Sequence, residues 1–264
     1  MSEQPAPIDP SATQTAAQAV AKLAEEHAAG LYTLGLRFCG DPAKAEDLVQ
    51  EVFLNALKGW SGFDGRSDPK TWLYTIAARA CQRMHRTRSG EPSSIGSLDA
   101  LLPFDEPLVA RVEDGGPLGE QVRREARERL EASIVGLPED FRVPLVLKEI
   151  AGFSVPEVAQ ILGLEEGTVR SRVHRARLKL RKAIEGALPK GEAPPPAYPE
   201  QTCMDLLNAK QSALDRGVPF DTRVVCERCR SVFETLDLTR EICRDLAAGQ
   251  LPEGVRERLA AKLA

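Results

Sequence analysis

The sequence predicts an all-α protein: two small helical domains followed by a small, helical, cysteine-rich one. Three observations lead there. Apolar residues recur at three- and four-residue spacings along most of the chain, the signature of helices with one buried side. Aromatic residues make up only 5% of the sequence while helix formers abound. Helix-start signals also stand at the expected places: Asp41 before Pro42, and Ser154 three residues ahead of Glu157.

At 264 residues the chain has room for two small domains and an addition. The net charge of −4 does not by itself suggest a nucleic-acid partner. The charge is segregated, however, with basic residues gathered in 66–88, 123–129 and 170–182. No apolar run is long enough to span a bilayer, and residues 1–20 lack the pattern of a signal peptide. A cytoplasmic location without membrane contact is expected, where the six cysteines are better read as thiols or metal ligands than as disulfides.

Residues 1–14, rich in Pro, Ser, Thr and Gln, read as a loose tail. Leu23, His27, Leu31, Leu34 and Phe38 then keep a helical period over 15–39, with His27 as a core or boundary residue and Cys39 as a small hydrophobe. A second helix runs from Pro42 to about Trp60. Its wide apolar side includes Leu48, Val52, Phe53 and Ala56, and its other side carries Glu46, Asp47, Gln50, Glu51 and Asn55. That acidic side is either solvated surface or a docking face for a basic partner.

A Gly/Ser/Asp loop around Trp60 and Phe63 leads to a helix beginning near Thr71, with Trp72, Ile76, Ala80 and Met84 expected to pack inward. Arg79, Arg83, His85, Arg86 and Arg88 leave a basic surface. Beside Trp72, Tyr74 and the loop aromatics, it suits a single nucleic-acid strand, with bases on rings and phosphates on cations. The plainer alternative is core aromatics and solubilising arginines. Together 15–88 form the first domain, and 89–120, with little periodicity, form a linker.

The second domain spans 121–186. Ala126, Leu130 and Ile134 face its core, LPED makes a turn, and Pro144 should kink the following helix. The stretch from Ser154 to Leu180 reads as two helices around Gly163, which can take the left-handed conformation that ends the first. In the second helix Val169, Val173, Ala176 and Leu180 form a core stripe, while Arg170, Ser171, His174 and Arg175 share another side. Seven basic residues and no acid lie between 170 and 182, whereas a merely soluble helix intersperses Glu. Unbalanced positive charge is what phosphate binding needs, because counterion release supplies much of the affinity. The motif is a helix-turn-helix with a recognition helix.

After a Pro-rich tether, 187–201, residues 202–264 hold four of the six cysteines: Cys203, Cys226, Cys229 and Cys243. CERC has the spacing with which two thiolates grip one metal, although buried thiols or a redox pair fit it as well. Cys243 lies 14 residues beyond Cys229. On an unbroken helix that is about 21 Å, whereas thiolates sharing a metal lie within roughly 4 Å. Cys243 therefore joins the site only if the helix breaks near Asp237–Arg240; otherwise it serves a second site or packs in the core. No phosphate-cradling loop and no nucleophile–base set is visible, so the chain is not expected to be an enzyme. A DNA-binding regulator whose N-terminal helices only dimerise, and a thiol-redox sensor, remain as alternative readings.

Taken together, 15–186 resembles an extracytoplasmic-function (ECF) sigma factor of bacterial RNA polymerase. AEDLVQEVFLNAL is similar to the family's polymerase-binding segment, FDGRSDPKTWLYTIAARACQRMHR to the promoter-melting segment of sigma region 2, and the long run ending GTVRSRVHRARLKLR to the −35-reading region 4. The resemblance implies core RNA polymerase and promoter DNA as partners. It places Asp47, Gln50, Glu51 and Phe53 on the β′ clamp helices, and Phe63, Arg66, Trp72, Arg79 and Arg83 at the −10 element, where a base is flipped out. It places Arg170, Ser171, His174 and Arg175 in the −35 major groove, where arginine grips guanine. Arg79 and Arg83 stand where the family usually has Asn and Asp. The tail resembles the zinc-binding domain of anti-sigma factors, with Thr222 in place of that domain's His. A sigma factor with such a tail looks like the CorE-like, metal-responsive group, which implies metal held by Cys203, Cys226, Cys229 and Cys243 without a separate anti-sigma factor. Thiolates suit copper, zinc or cadmium.

Overall fold

A computed structural model describes residues 16–85, 95, 108–109, 117–192 and 194–263. The tail 1–14, most of the 89–120 linker, Arg86, Arg88 and the side chains of Met84 and His85 lie outside the described residues. The described chain falls into two compact units, one holding residues up to 85 with 160–163 and 247–263, the other the remainder.

In the first unit α1 (Ala16–Cys39), α2 (Pro42–Gly59) and α3 (Pro69–His85) pack as a bundle, with a 3-10 turn at Trp60–Gly62. The start of α2 is as the sequence predicts: the Asp41 carboxylate accepts from the Ala43 N–H at 2.9 Å and Pro42 opens the helix. Val20, Leu31, Phe38, Leu48, Val52 and Leu73 are fully enclosed. The inward side of α3 differs from the expectation. Leu73, Ala77, Ala80 and Cys81 are buried, whereas Trp72 and Ile76 are half-buried, because α3 presents a side about one residue further round. A further helix, α10 (Glu253–Leu263), joins α1 and α2 in this unit.

The second unit holds α4 (Pro117–Val135), α5 (Glu139–Leu145), α7 (Glu166–Ile184), α8 (Glu200–Arg216), α9 (Glu227–Asp245) and α6 (Val155–Leu162) as far as Ala159, the last residues of α6 being assigned to the first unit. Leu108–Val109 and Lys190–Gly191 pair as antiparallel two-residue strands, β1 and β2. Pro144 sits inside α5 and lacks the N–H for a helical bond. The chain responds with a π turn, Val146–Ile150, closed by Ala151 N–H on the Val146 carbonyl at 2.9 Å.

Ser154 and Glu157 form the expected capping box. The Ser154 N–H donates to Glu157 Oε2 at 2.7 Å and the Glu157 N–H to Ser154 Oγ at 3.4 Å. Gly163, at φ +65°, lets α6 end with Leu164 N–H on the Ala159 carbonyl at 3.0 Å. Val169, Val173, Ala176 and Leu180 are all fully buried along α7. The residues of the cysteine-rich tail divide, with α8 and α9 in the second unit and α10 in the first.

Candidate functional site

The recognition-type helix α7 is only partly open. Arg170 and Ser171 are exposed near its start, with Arg170 reaching back to Glu166 at 2.5 Å. Arg172 pairs with Asp140 at 3.3 Å, and the half-buried Arg175 lies over the Phe141 ring, 5.8 Å from its centroid. His174 faces the tail instead of solvent. Its Nε2 is 2.8 Å from Asp215 Oδ2 on α8, and its carbonyl accepts from Gln211 Nε2 at 3.2 Å.

Arg177 and Arg181, part of the basic run by sequence, are buried at 3% and 1% exposure. Arg177 binds Glu149, on the π turn, through both Nε and Nη2, and its Nη1 is 2.7 Å from Asp215 Oδ1. Arg240 of α9 reaches the other Glu149 oxygen at 3.7 Å. Arg181 pairs with Glu185. The positive face is thus smaller than the sequence count implies. Position 177 lies four beyond Val173 and three before Leu180, so it flanks the core stripe; that spacing was the available signal.

Burial opposes the Arg177 charge, but Glu149 and Asp215 outweigh it and raise its pKa above the ordinary arginine value. Burial likewise works to raise Asp215, and the His174 hydrogen bond and Arg177 charge bring its carboxyl below the usual range.

The aromatic loop forms a three-ring cluster. Trp60 stacks on Phe63 with centroids 5.2 Å apart, and Trp72 lies 5.8 Å from Trp60 and 5.1 Å from Phe63. All three rings stay half-exposed, a platform that bases can reach. Trp60, absent from the predicted −10 set, packs against two of its members, Phe63 and Trp72. Tyr74 is enclosed instead: it is 3% exposed, and burial pushes its phenol up to about 12. Arg66 is exposed and held by Asp64 at 2.5 Å, while Arg79 projects to solvent.

On α2, Asp47 is exposed and Gln50 and Glu51 are half-buried. Glu51 pairs with Arg83 of α3 at 2.5 Å, so one residue from each of two predicted faces meets the other. Phe53 is a correction. At 0% exposure it is a core residue and cannot touch a partner, as its place on the apolar side of α2 dictates.

In the tail, Cys203 near the start of α8 and Cys226 and Cys229 at the start of α9 come together. The Cys229 thiol feels both others, each of which works to raise its pKa. None of the six cysteines is in a disulfide. Burial opposes the Cys226 thiolate, but the N–H groups of Cys229, Ala197 and Arg228 and the Cys229 thiol lower its pKa overall. Cys229 is pushed up to about 12, by burial first and then by Cys226 and Cys203. Cys243 stands apart: α9 runs unbroken through Asp237–Arg240, which keeps it at the far end of the helix. The three thiols match a soft cation in donor chemistry but leave a tetrahedral set one ligand short. Among the described residues no His, Cys, Asp and Glu cluster has the arrangement of a formed metal site.

No helix among the described residues is long and apolar enough to cross a membrane. Residues 23–91 match Sigma-70 region 2 and residues 127–180 match Sigma-70 region 4. The chain is 35% identical over 159 residues to the RNA polymerase sigma-H factor of Pseudomonas aeruginosa, covering 59% of this chain and 81% of that one. It is 34% identical over 158 residues to the ECF RNA polymerase sigma factor SigW of Bacillus subtilis, covering 58% and 82% respectively. Among solved structures, the sigma factor RpoE in complex with the anti-sigma factor NepR, from Bartonella quintana, is similar with 27% identity and a TM-score of 0.46, over 62% of this chain and 96% of that one. A recognition helix, an aromatic loop and a polar α2 face, in family order and with relatives matched over four-fifths of their length, place this chain among the ECF RNA polymerase sigma factors.

Proposed function

We infer that this sigma factor carries its own regulator: the tail restrains the sigma regions, and a soft metal ion at the cysteine cluster alters that restraint. The observation that carries the reading is the seat of α8 on α7. Gln211 and Asp215 engage His174 and Arg177, on the helix whose outer side would enter the −35 major groove. With His174 tied to Asp215, only Arg170, Ser171 and part of Arg175 remain to read bases. The −10 element would meet Phe63, Arg66, Trp72, Arg79 and Arg83, and core polymerase would meet Asp47, Gln50 and Glu51. Polymerase does the chemistry, in the cytoplasm, and this chain supplies no catalytic group.

Cys203 lies on the helix that carries Gln211 and Asp215, and Cys226 and Cys229 open the next one. A copper, zinc or cadmium ion bound by these three thiolates, with a fourth ligand drawn from water or chain, would pull on the N-terminus of α8. In this way the tail takes the place of a separate anti-sigma factor.

Titrating each metal into promoter-directed transcription with core polymerase tests the proposal, using the full chain and a Cys226→Ser/Cys229→Ser variant. A metal-dependent change in wild type that the variant lacks is expected; identical transcripts under every condition overturn metal sensing. The lowered Cys226 thiol beside Cys229 favours a second reading, a reversible Cys226–Cys229 disulfide. Metal content of fresh protein against its thiol count separates the two.

A further inference from the structure

The last helix reaches Gln50, one of the α2 residues expected to meet polymerase, and its neighbour Glu46. In α10, Val255, Leu259 and Leu263 fall at intervals of four and are buried, forming one apolar stripe. Leu251, Leu259 and Leu263 face Ala21, Ala24 and Ala28 of α1 across a groove of about 330 Å³. The flank of α10 turned to α2 is basic. Arg258 Nε lies 2.6 Å from Glu46 Oε1, and Lys262 Nζ bonds Gln50 Oε1. Arg258 and Lys262 are four residues apart, as are Glu46 and Gln50, and Gln50 Nε2 donates to Glu46 Oε1 at 3.0 Å, so two short ladders meet in register. The Arg258 hydrogen bond comes first among the causes that hold the Glu46 carboxyl below its ordinary range.

The approach of the chain to α10 is equally tight. A Cβ on Gly249 would come within 2.1 Å of Thr33 Oγ1 and 3.3 Å of its Cβ, and Thr33 is itself buried on α1. Only glycine lets the backbone lie this close.

We propose that α10 is a competitor in cis for the polymerase-docking side of α2: Arg258 and Lys262 occupy Glu46 and Gln50, so core polymerase engages only after α10 has left. This rests on the sigma reading of α2 and adds a second point of restraint, independent of the tail's hold on α7. The surface accepts an amphipathic helix with two basic residues one turn apart, and α10 fits it without any other chain.

The test measures affinity of the full-length chain for core RNA polymerase, without promoter DNA, by anisotropy of a label placed on α4. Wild type is compared with Arg258→Glu/Lys262→Glu and with Gly249→Val, each checked for native helicity, and amide exchange over 253–263 reports whether α10 has been released. Release with about three- to fivefold tighter binding is expected, the scale of a few exposed polar contacts reversed in sign. Release with unchanged affinity overturns the competition while leaving the sigma reading intact. No binding by any of the three proteins removes both.

Discussion

The tail holds the two sigma regions by different physics. On α7 the contact is buried: Arg177, Glu149 and Asp215 have side-chain exposures of 3%, 4% and 6%, and Arg177 pairs with both carboxylates. On α2 the polar contact is open, with the Arg258 side chain 54% exposed, and the apolar stripe of α10 supplies the burial. A buried pair is weak evidence of net stability, yet breaking one partner is severe, since the charge left behind has no water. An exposed pair chooses register and contributes little net. Helix α7 is therefore held by a lock that tolerates no missing part, and α2 by an open polar contact that contributes little net.

The largest expected effect tests the lock. Arg177→Met leaves buried Glu149 with only Arg240, at 3.7 Å, and Asp215 with only His174, and should destabilise the second unit by about 3–5 kcal/mol, read by chemical denaturation. A loss no greater than that of an ordinary surface substitution would erase the contrast. Next, Phe53→Ala should lose about 3–5 kcal/mol through the cavity it leaves in the first unit. Asp47→Ala, on the outer side of α2, should leave the denaturation midpoint in place and weaken core polymerase binding.

The acid response of the lock is smaller. Because the Asp215 carboxyl is depressed in the folded chain, its contribution is complete above the unfolded value of about 3.9 and is lost as pH falls through the folded one. Asp215→Asn should therefore lower the stability of the second unit by a constant amount above that pH, and the deficit should shrink as pH falls below it. Smallest of all, Arg258→Ala should not measurably move the denaturation midpoint. A clear drop would mean that α10 is held as firmly as α8.

Much of the fold was legible because its signals are local. Asp41–Pro42, the Ser154–Glu157 box, Gly163 and the α7 stripe each depend on a few neighbouring residues, and all formed as predicted. The unbroken α9 also decided the place of Cys243 by arithmetic along one helix. Errors arose where two sides of a helix compete. Phe53 was assigned outward by likeness to a binding segment although its own periodicity turned it inward. Trp72 and Ile76 exchanged places with Leu73 and Ala77 because α3 is apolar over a wide arc. Arg177 counted as solvent-facing until a carboxylate from α8 and another from the π turn converged on it.

By itself the sequence determined the helices, their caps and the family, because spacing, capping chemistry and charge runs are written residue by residue. Only tertiary structure decided what the tail does with itself: α8 and α9 on the recognition helix, α10 on the bundle, and three thiols at the α8 and α9 starts. Such pairings join groups far apart in the chain, 34 positions for Arg177 and Gln211 and 212 for Glu46 and Arg258. Nothing in local spacing marks those partners; burial and complementary charge choose them once the helices pack.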